Sequence, residues 1–446
     1  MAQYPRCRVL AIIGSGETSP TMVTVHRDLA ARLGVSRPQA TVLATPYAFQ
    51  ENAADVSART ERYFADSVGL QVRVSAGTSP DADPGMAPPL IPADPGDEAR
   101  QAAAIRAADW VFAGPGSPSY ALAHWQAGPV AAGLRDRVLA GDGLTVLASA
   151  AAATAGRLAV PVYEIYKAGG APRWLAGLDL LGPLGLDVAL IPHYDNAEGG
   201  RYDTRYCYLG ERRLAVMERD LPPGTAVLGV DEHTAMLVDL RDEAVEIRGR
   251  GGVTVRRAGD SVVLPAGSTL ALAELRDLVR GGPVRGGPGR SRPAGDGAVR
   301  ADTGPGTAAG SEEAILPLPE LIEMAERRFG SASAQRDAAA MVGVILELET
   351  AITAWEADMD EDQGTEQARA LLRGLIGRLG RAAQDGLADP RDRLRPAVEP
   401  LLALRAALRG AGDFAAADGI RDALAGAGLD ISDTPDGTRW QPAETA

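Results

Sequence analysis

Short apolar runs alternate with amphipathic stretches along the first 280 residues, and each apolar run ends in small or polar residues. Arg8–Ile13 (RVLAII) has no polar face and predicts a buried strand. The turn Gly14-Ser15-Gly16-Glu17-Thr18 follows it, then a helix over 20–33 that Gly34 stops. The pattern repeats. Strands are expected at 39–44, 70–74 and 110–113, with helices at 53–68, 97–108 and, for the most part, 120–140. Residues 77–96, rich in Pro, Asp and Gly, predict a loop. A second small-residue turn, Gly114-Pro115-Gly116-Ser117-Pro118-Ser119, closes the run at 110–113. Strands alternating with helices imply a mostly parallel sheet flanked by helices, an α/β fold that places ligands at the carboxyl ends of its strands.

Residues 145–154 (TVLASAAAAT) sharpen that picture. An apolar strand passes through one hydroxyl, Ser149, into a run of alanines, the best helix former. A serine at a strand-to-helix junction is the arrangement of a nucleophile elbow, with free N–H groups behind it for an oxyanion. The same residues also suit a helix packed tightly on a sheet. Further on, Val188–Ile191 predicts a strand ending in Pro192-His193-Tyr194-Asp195-Asn196. A helix is expected over 210–219, and a strand at 226–230 leads into Asp231-Glu232-His233-Thr234-Ala235. Val/Ile alternation over 244–264 predicts antiparallel hairpins.

Composition narrows the chemistry. Of the 446 residues 46% are hydrophobic, enough for two or three cores, and the net charge of −14 argues against a basic nucleic-acid surface over the whole chain. Two cysteines, Cys7 and Cys207, make no disulfide framework, and with four histidines they show no metal-ligand spacing, so no metal or cofactor is expected. The N-terminal residues lack a signal-peptide core, and no later run is expected to span a membrane, which makes the cytoplasm the expected location. Arg201, Arg205, Arg212 and Arg213 are candidates for gripping a substrate carboxylate, or else form a solvated face with Glu211 and Glu218. His26 and His124 fall in expected helices and read as structural, and Cys207 reads as buried.

Residues 280–310 are rich in Gly, Pro, Ser and Arg and are expected to be a disordered linker. They separate a domain over 1–279 from an Ala/Leu/Arg-rich region over 311–446. That region reads as a small all-α domain with breaks near Gly330, Gly364, Gly386 and Pro390 and an extended tail at 430–441. Its apolar helix positions, Leu401, Leu402, Leu404, Leu408, Phe414, Ile420 and Leu424, are expected to pack.

The ordered set Gly14-Ser15-Gly16-Glu17, Gly114 to Ser117, Ser149-Ala150, Pro192-His193-Tyr194, Leu209 to Leu214 and Gly229 to Ala235 resembles the dipeptidase E/cyanophycinase family of serine peptidases. The resemblance covers about the first 270 residues and implies the class I glutamine-amidotransferase-like fold. It implies Ser149 as nucleophile, His193 as general base, and Glu232, or its neighbour Asp231, as the acid that orients the base. It implies Gly116 and Ala150 as oxyanion donors and the Gly14–Gly16 turn, Gly16 with it, as part of the same pocket for a small peptide or amide substrate, toward which Arg205 and Arg212 remain the candidate arginines read from residue type. Leu147 and Ala151 stand where the family's elbow has glycine. A degenerate pocket in a binding or scaffold protein is therefore the alternative to a serine-type hydrolase.

In the second region, Asp413-Phe414-Ala415, Ala417-Asp418, Ile420-Arg421-Asp422 and Asp433-Thr434-Pro435-Asp436-Gly437-Thr438-Arg439-Trp440 resemble the C-terminal helical part of cysteinyl-tRNA synthetases. The synthetase's ATP-site signatures and zinc-binding cysteines are absent, so ligase activity is not expected. A tRNA- or synthetase-associated role, a protein partner and oligomerisation are the expectations for this region. Arg373, Arg378, Arg381, Arg391, Arg393 and Arg395 offer a local basic face, or else a face neutralised by Asp and Glu.

Overall fold

The structure is a computed structural model that describes residues 7–75, 95–126, 128–199, 202–282, 316–355, 363–384, 390–434 and 437–443. Most of the expected linker at 280–310, most of the loop at 77–96, Arg201 and Gly386 lie outside the described residues. The chain forms two compact units, Met1–Pro317 with Ala354–Asp362, and Leu318–Thr353 with Gln363–Ala446.

Fourteen strands are described in the first unit: β1 Arg8–Ile13, β2 Ala40–Leu43, β3 Val72–Ser75, β4 Trp110–Ala113, β5 Gly143–Ala148, β6 Leu158–Ala159, β7 Leu175–Ala176, β8 Val188–Ile191, β9 Ala226–Val230, β10 Thr234–Asp239, β11 Ala244–Gly249, β12 Gly252–Arg257, β13 Asp260–Pro265 and β14 Thr269–Ala271. They make two sheets rather than one. The larger has the order β14-β11-β10-β1-β5-β4-β2-β3, and the smaller β13-β12-β9-β8-β6-β7. From β1 to β3 the larger sheet is parallel, and β10, β11 and β14 extend it antiparallel. In the smaller sheet β6, β8 and β9 are parallel.

The larger sheet's central strands are buried on both faces, which is why their sequences are continuously apolar. Side chains alternate across β1: Val9, Ala11 and Ile13 enter one core, Leu10 and Ile12 the other. The second of these cores also contains Leu190, Leu228 and Val230 of the smaller sheet, so the two sheets share it. Each fully buried Leu or Ile there contributes about 1.5–3 kcal/mol. The chain passes from β9 of the smaller sheet to β10 of the larger through three residues, Asp231 to His233.

Helix boundaries follow local chemistry. The expected helix over 120–140 is two helices, Pro118–Trp125 and Pro129–Ala140, each with proline at its first position, where no N–H is needed. Ala53–Arg62 continues through a wider turn at Tyr63–Val68 and ends at Gly69 in a left-handed conformation.

The second unit contains the helices Leu318–Ala334, Ala338–Trp355 except for its last two residues, Gln363–Gln384, Pro390–Gly410 and Phe414–Gly426, and the hairpin of β15 Leu429–Thr434 with β16 Gly437–Pro442. The expected extended tail is this hairpin. Gly330 does not break its helix; the chain turns instead at Arg336, with φ +56°, and the Asp337 carboxylate accepts the Ala340 N–H to cap the next helix. Ala338–Trp355 is long and apolar enough to cross a membrane by length and composition, contrary to expectation. It nevertheless buries Met341, Val344, Leu348 and Ile352 at three- and four-residue spacing, the stripe of a packed helix. The inward face of Pro390–Gly410 also differs from expectation. Val398, Leu402 and Arg405 turn inward, while Leu401 and Leu404 stay exposed, as does Phe414. Positions 398, 402 and 405 share one face, and 401 and 404 lie off it. Arg405, 1% exposed, places both terminal nitrogens on the Asp433 carboxylate at 2.9 and 2.8 Å and so fastens the helix to the hairpin. Among the candidate basic residues, Arg378 pairs with Glu326 at 2.9 Å and Arg395 with Asp392 at 3.2 Å.

Candidate active site

β5 ends at Ala148 in extended backbone, and Ser149 turns to φ +46° before the short helix Ser149–Ala153. A left-handed serine is strained, and such strain gathers where a side chain must be aimed. The Ala151 N–H donates to the Gly114 carbonyl at 3.1 Å, which ties this turn to the second glycine turn. Leu147 is in register between Ile12 and Ala113 and is fully buried. Its core cluster includes Ala113, Ala151, Ala152 and Ala155, whose small side chains leave room for the leucine. Gly116 has φ +130°, and a Cβ there would stand 2.0 Å from the Pro46 carbonyl oxygen, so only glycine fits.

His193 follows β8 with φ +47°. Its carbonyl accepts N–H groups from Asn196 at 3.3 Å and Cys207 at 3.0 Å. Cys207 belongs to a run of three left-handed residues, Tyr206 to Tyr208, whose backbone also bonds Tyr194 and thereby fixes the base's loop. Glu232 lies in the link between the sheets.

These three elements bring Ser149, His193 and Glu232 into one line. Ser149 Oγ is 2.9 Å from His193 Nε2, and His193 Nδ1 is 2.9 Å from Glu232 Oε1. With Glu232 ionised, Nδ1 carries the proton and Nε2 is left to accept from the serine hydroxyl. Ser149 is 7% exposed, and the His193 and Glu232 side chains are 14% and 25% exposed. Burial works against the Glu232 anion, but the bonds from His193 and Asn196 outweigh it and hold its carboxyl below the usual glutamate value.

Asp231 is placed differently. Its Oδ2 accepts the Gly252 N–H at 2.7 Å. Burial, reinforced by the charge of Asp195, pushes its carboxyl up to about 7. Asp195 in turn accepts the Glu232 N–H at 2.7 Å. Gly16, with φ +65°, lies against His233: a Cβ there would meet the ring nitrogen at 2.2 Å. His233 Nδ1 is 3.0 Å from Thr21 Oγ1 and 3.3 Å from Ser19 Oγ. Ala150 is in the first helical turn, whose N–H groups have no intrahelical acceptor. Arg205 is half exposed and paired: Nε and Nη2 each donate to Asp203 at 2.8 Å. Arg212 and Arg213 lie on the exposed face of Gly210–Arg219, while Glu211 and Glu218 of that helix grip the buried Arg256. His26 is fully buried among Tyr63, Phe64, Trp110 and Phe112, with Nε2 2.7 Å from the Glu17 carbonyl, and burial lowers its pKa to about 4. Burial likewise lifts the Cys207 thiol to about 12.

Sequence reasoning passed over Asn196. Its side-chain amide donates to Glu232 Oε1 at 3.0 Å, and the residue is fully buried. The available signal was an amide three residues after the histidine in a loop otherwise rich in charge.

No family model matches the chain. The chain is similar to the cysteine–tRNA ligase of Halorhodospira halophila, 44% identical over 82 residues, which is 18% of each protein. It is similar to that of Symbiobacterium thermophilum, 34% identical over 132 residues, 30% of this chain and 27% of the ligase. It thus spans less than a third of the length of these relatives, a segment consistent with the C-terminal helical region. Among solved structures it is similar to a peptidase from an acI-B1 Actinobacterium, with a TM-score of 0.46 and 17% identity over 60% of this chain and 97% of the other. A putative peptidase E from Listeria monocytogenes EGD-e gives a TM-score of 0.35 and 14% identity, over 55% and 98% of the two chains.

Proposed function

We propose that the first unit is a serine-type hydrolase of peptide or amide bonds. The carrying observation is the aligned pair of 2.9 Å contacts from Ser149 through His193 to Glu232. A serine hydroxyl is a weak nucleophile until a base takes its proton, and the base must present the right ring nitrogen. In this reading Ser149 Oγ attacks the substrate carbonyl carbon as its proton passes to His193 Nε2. The carbonyl π electrons move onto oxygen, and the Ala150 and Gly116 N–H groups receive that oxyanion. His193 then protonates the departing amine as its C–N bond breaks. Water, deprotonated by the same nitrogen, attacks the acyl carbon, and as the acyl–Oγ bond breaks that nitrogen returns the proton to Ser149 Oγ. Glu232 stays ionised throughout and stabilises the imidazolium.

Labelling with a fluorophosphonate tests the assignment. The wild-type chain is expected to label at Ser149, and Ser149→Ala and His193→Ala to lose the label. Equal labelling of wild type and Ser149→Ala ends the hydrolase reading. The segment similar to cysteine–tRNA ligases supports a second reading, tRNA association by the helical unit. A gel shift with tRNA across salt concentrations tests it; the absence of salt-sensitive retardation at low salt removes it.

A further inference from the structure

We infer that Asn196 is a positioning residue of this site, holding the Glu232 carboxylate in the one orientation that aligns His193 with Ser149. The inference rests on the hydrolase reading above and adds a residue to it. The Asn196 side-chain amide donates to Glu232 Oε1 at 3.0 Å, the same oxygen that His193 Nδ1 approaches at 2.9 Å. A carboxylate turns easily about its last torsion, and one donor does not stop it. Two donors converging on one oxygen do. The amide's own direction is set as well: Asn196 Oδ1 accepts the Glu198 N–H at 3.3 Å, so the NH2 end faces the carboxylate. A reversed amide would put oxygen against oxygen.

The backbone of Asn196 serves the same end. Its N–H donates to the His193 carbonyl at 3.3 Å, and its carbonyl accepts the Thr204 hydroxyl at 3.4 Å. Thr204 Oγ1 also accepts the Gly199 N–H at 3.0 Å. One fully buried residue therefore bridges the base's backbone and the acid's side chain, across the gap between the loop after β8 and the link after β9. An amide suits this place because it donates without adding charge. A lysine or arginine would neutralise Glu232 and weaken its hold on the imidazolium, and an aspartate would repel it.

The experiment measures the fluorophosphonate labelling rate of the full chain against pH for wild type, Asn196→Ala, Asn196→Asp and Thr204→Val. The titratable and charged groups around His193 and Glu232 are Asp195, Asp231, His233, Cys207 and Tyr208, and none of them is replaced in any variant. Asn196→Ala is expected to lower the rate about 100-fold through misplacement of the base. Asn196→Asp, nearly the same shape, is expected to move the midpoint of the rate's rise upward by about one pH unit, because a second negative charge favours the imidazolium. Thr204→Val touches the loop but not Glu232, and is expected to lower the melting temperature while leaving that midpoint in place. If Asn196→Ala fails to fold, the Asn196→Asp midpoint decides alone. Wild-type rate and midpoint in the Asn196 variants, with labelling still at Ser149, overturn this inference and leave the hydrolase reading standing. Equal labelling of wild type and Ser149→Ala removes both.

Discussion

The turn after β5 and the joint between Pro390–Gly410 and its hairpin use polar side chains in opposite ways. In the joint, Arg405 is buried with both terminal nitrogens on Asp433, and the Asp433 carboxyl is held well below its usual range, chiefly by that bond. Its partners lie 28 residues apart, neither stands at positive φ, and the pair only fastens one element to the next. At the turn, Ser149, His193 and Glu232 come from three chain segments and two sheets, and two of the three stand at positive φ. A fastening pair tolerates ordinary backbone. A line of three groups, the middle one with a partner on each side, requires backbone bent to suit it, and the surrounding cores supply the rigidity that holds the bend.

The sharpest way to break that contrast is Ser149→Ala. It is expected to abolish fluorophosphonate labelling with no loss of melting temperature, since a methyl relieves nothing the fold depends on. Glu232→Gln comes next. It removes the charge that fixes the His193 tautomer, and the labelling rate is expected to fall about 10²- to 10⁴-fold. A fall of less than tenfold would place Glu232 among merely structural groups. Gly116→Ala probes strain directly: with a Cβ 2.0 Å from the Pro46 oxygen at φ +130°, it is expected to destabilise the first unit by about 2 kcal/mol or more, read by denaturant unfolding. Arg405→Met keeps the apolar stem and removes the fork. Asp433 is 44% exposed and returns to water, so the expected loss is about 1–2 kcal/mol, confined to the helical unit's transition.

The smallest effect sharpens the choice between the two acids of the link. Asp231 holds its proton up to about pH 7 in the folded chain, whereas an unfolded aspartate releases it near about pH 4. Its favourable contribution is therefore complete below the unfolded value and is lost as pH rises through the folded one. Asp231→Asn keeps an acceptor for the Gly252 N–H and removes the charge. Its melting temperature is expected to gain on wild type as pH rises from about 4 to about 8, with labelling unchanged. A collapse of labelling in this variant would instead make Asp231 the orienting acid.

Much of this architecture was legible residue by residue. The apolar runs at β1, β4, β5, β8 and β9 predict strands because strands buried on both faces leave no polar period. The prolines at 118 and 129 mark helix starts, although the pattern alone joined the two helices into one. Composition and periodicity do not show that the strands divide between two sheets, because pairing partners distant in sequence leave no local trace. They also misassigned Leu401 and Leu404, since an apolar residue on a helix signals burial only when another element lies opposite it.

The site divides along the same line. Residue type and order determined that a hydroxyl, an imidazole and two neighbouring carboxylates would each follow a strand. Only the tertiary structure decided which carboxylate meets the ring, that Arg205 is held by Asp203, and that Asn196 stands behind Glu232. The physical reason is directional. Burial and strand formation depend on how apolar a segment is, and a sequence carries that in each residue. A hydrogen bond depends on angles and tenths of an ångström between segments, and those exist only once two sheets have packed against one core.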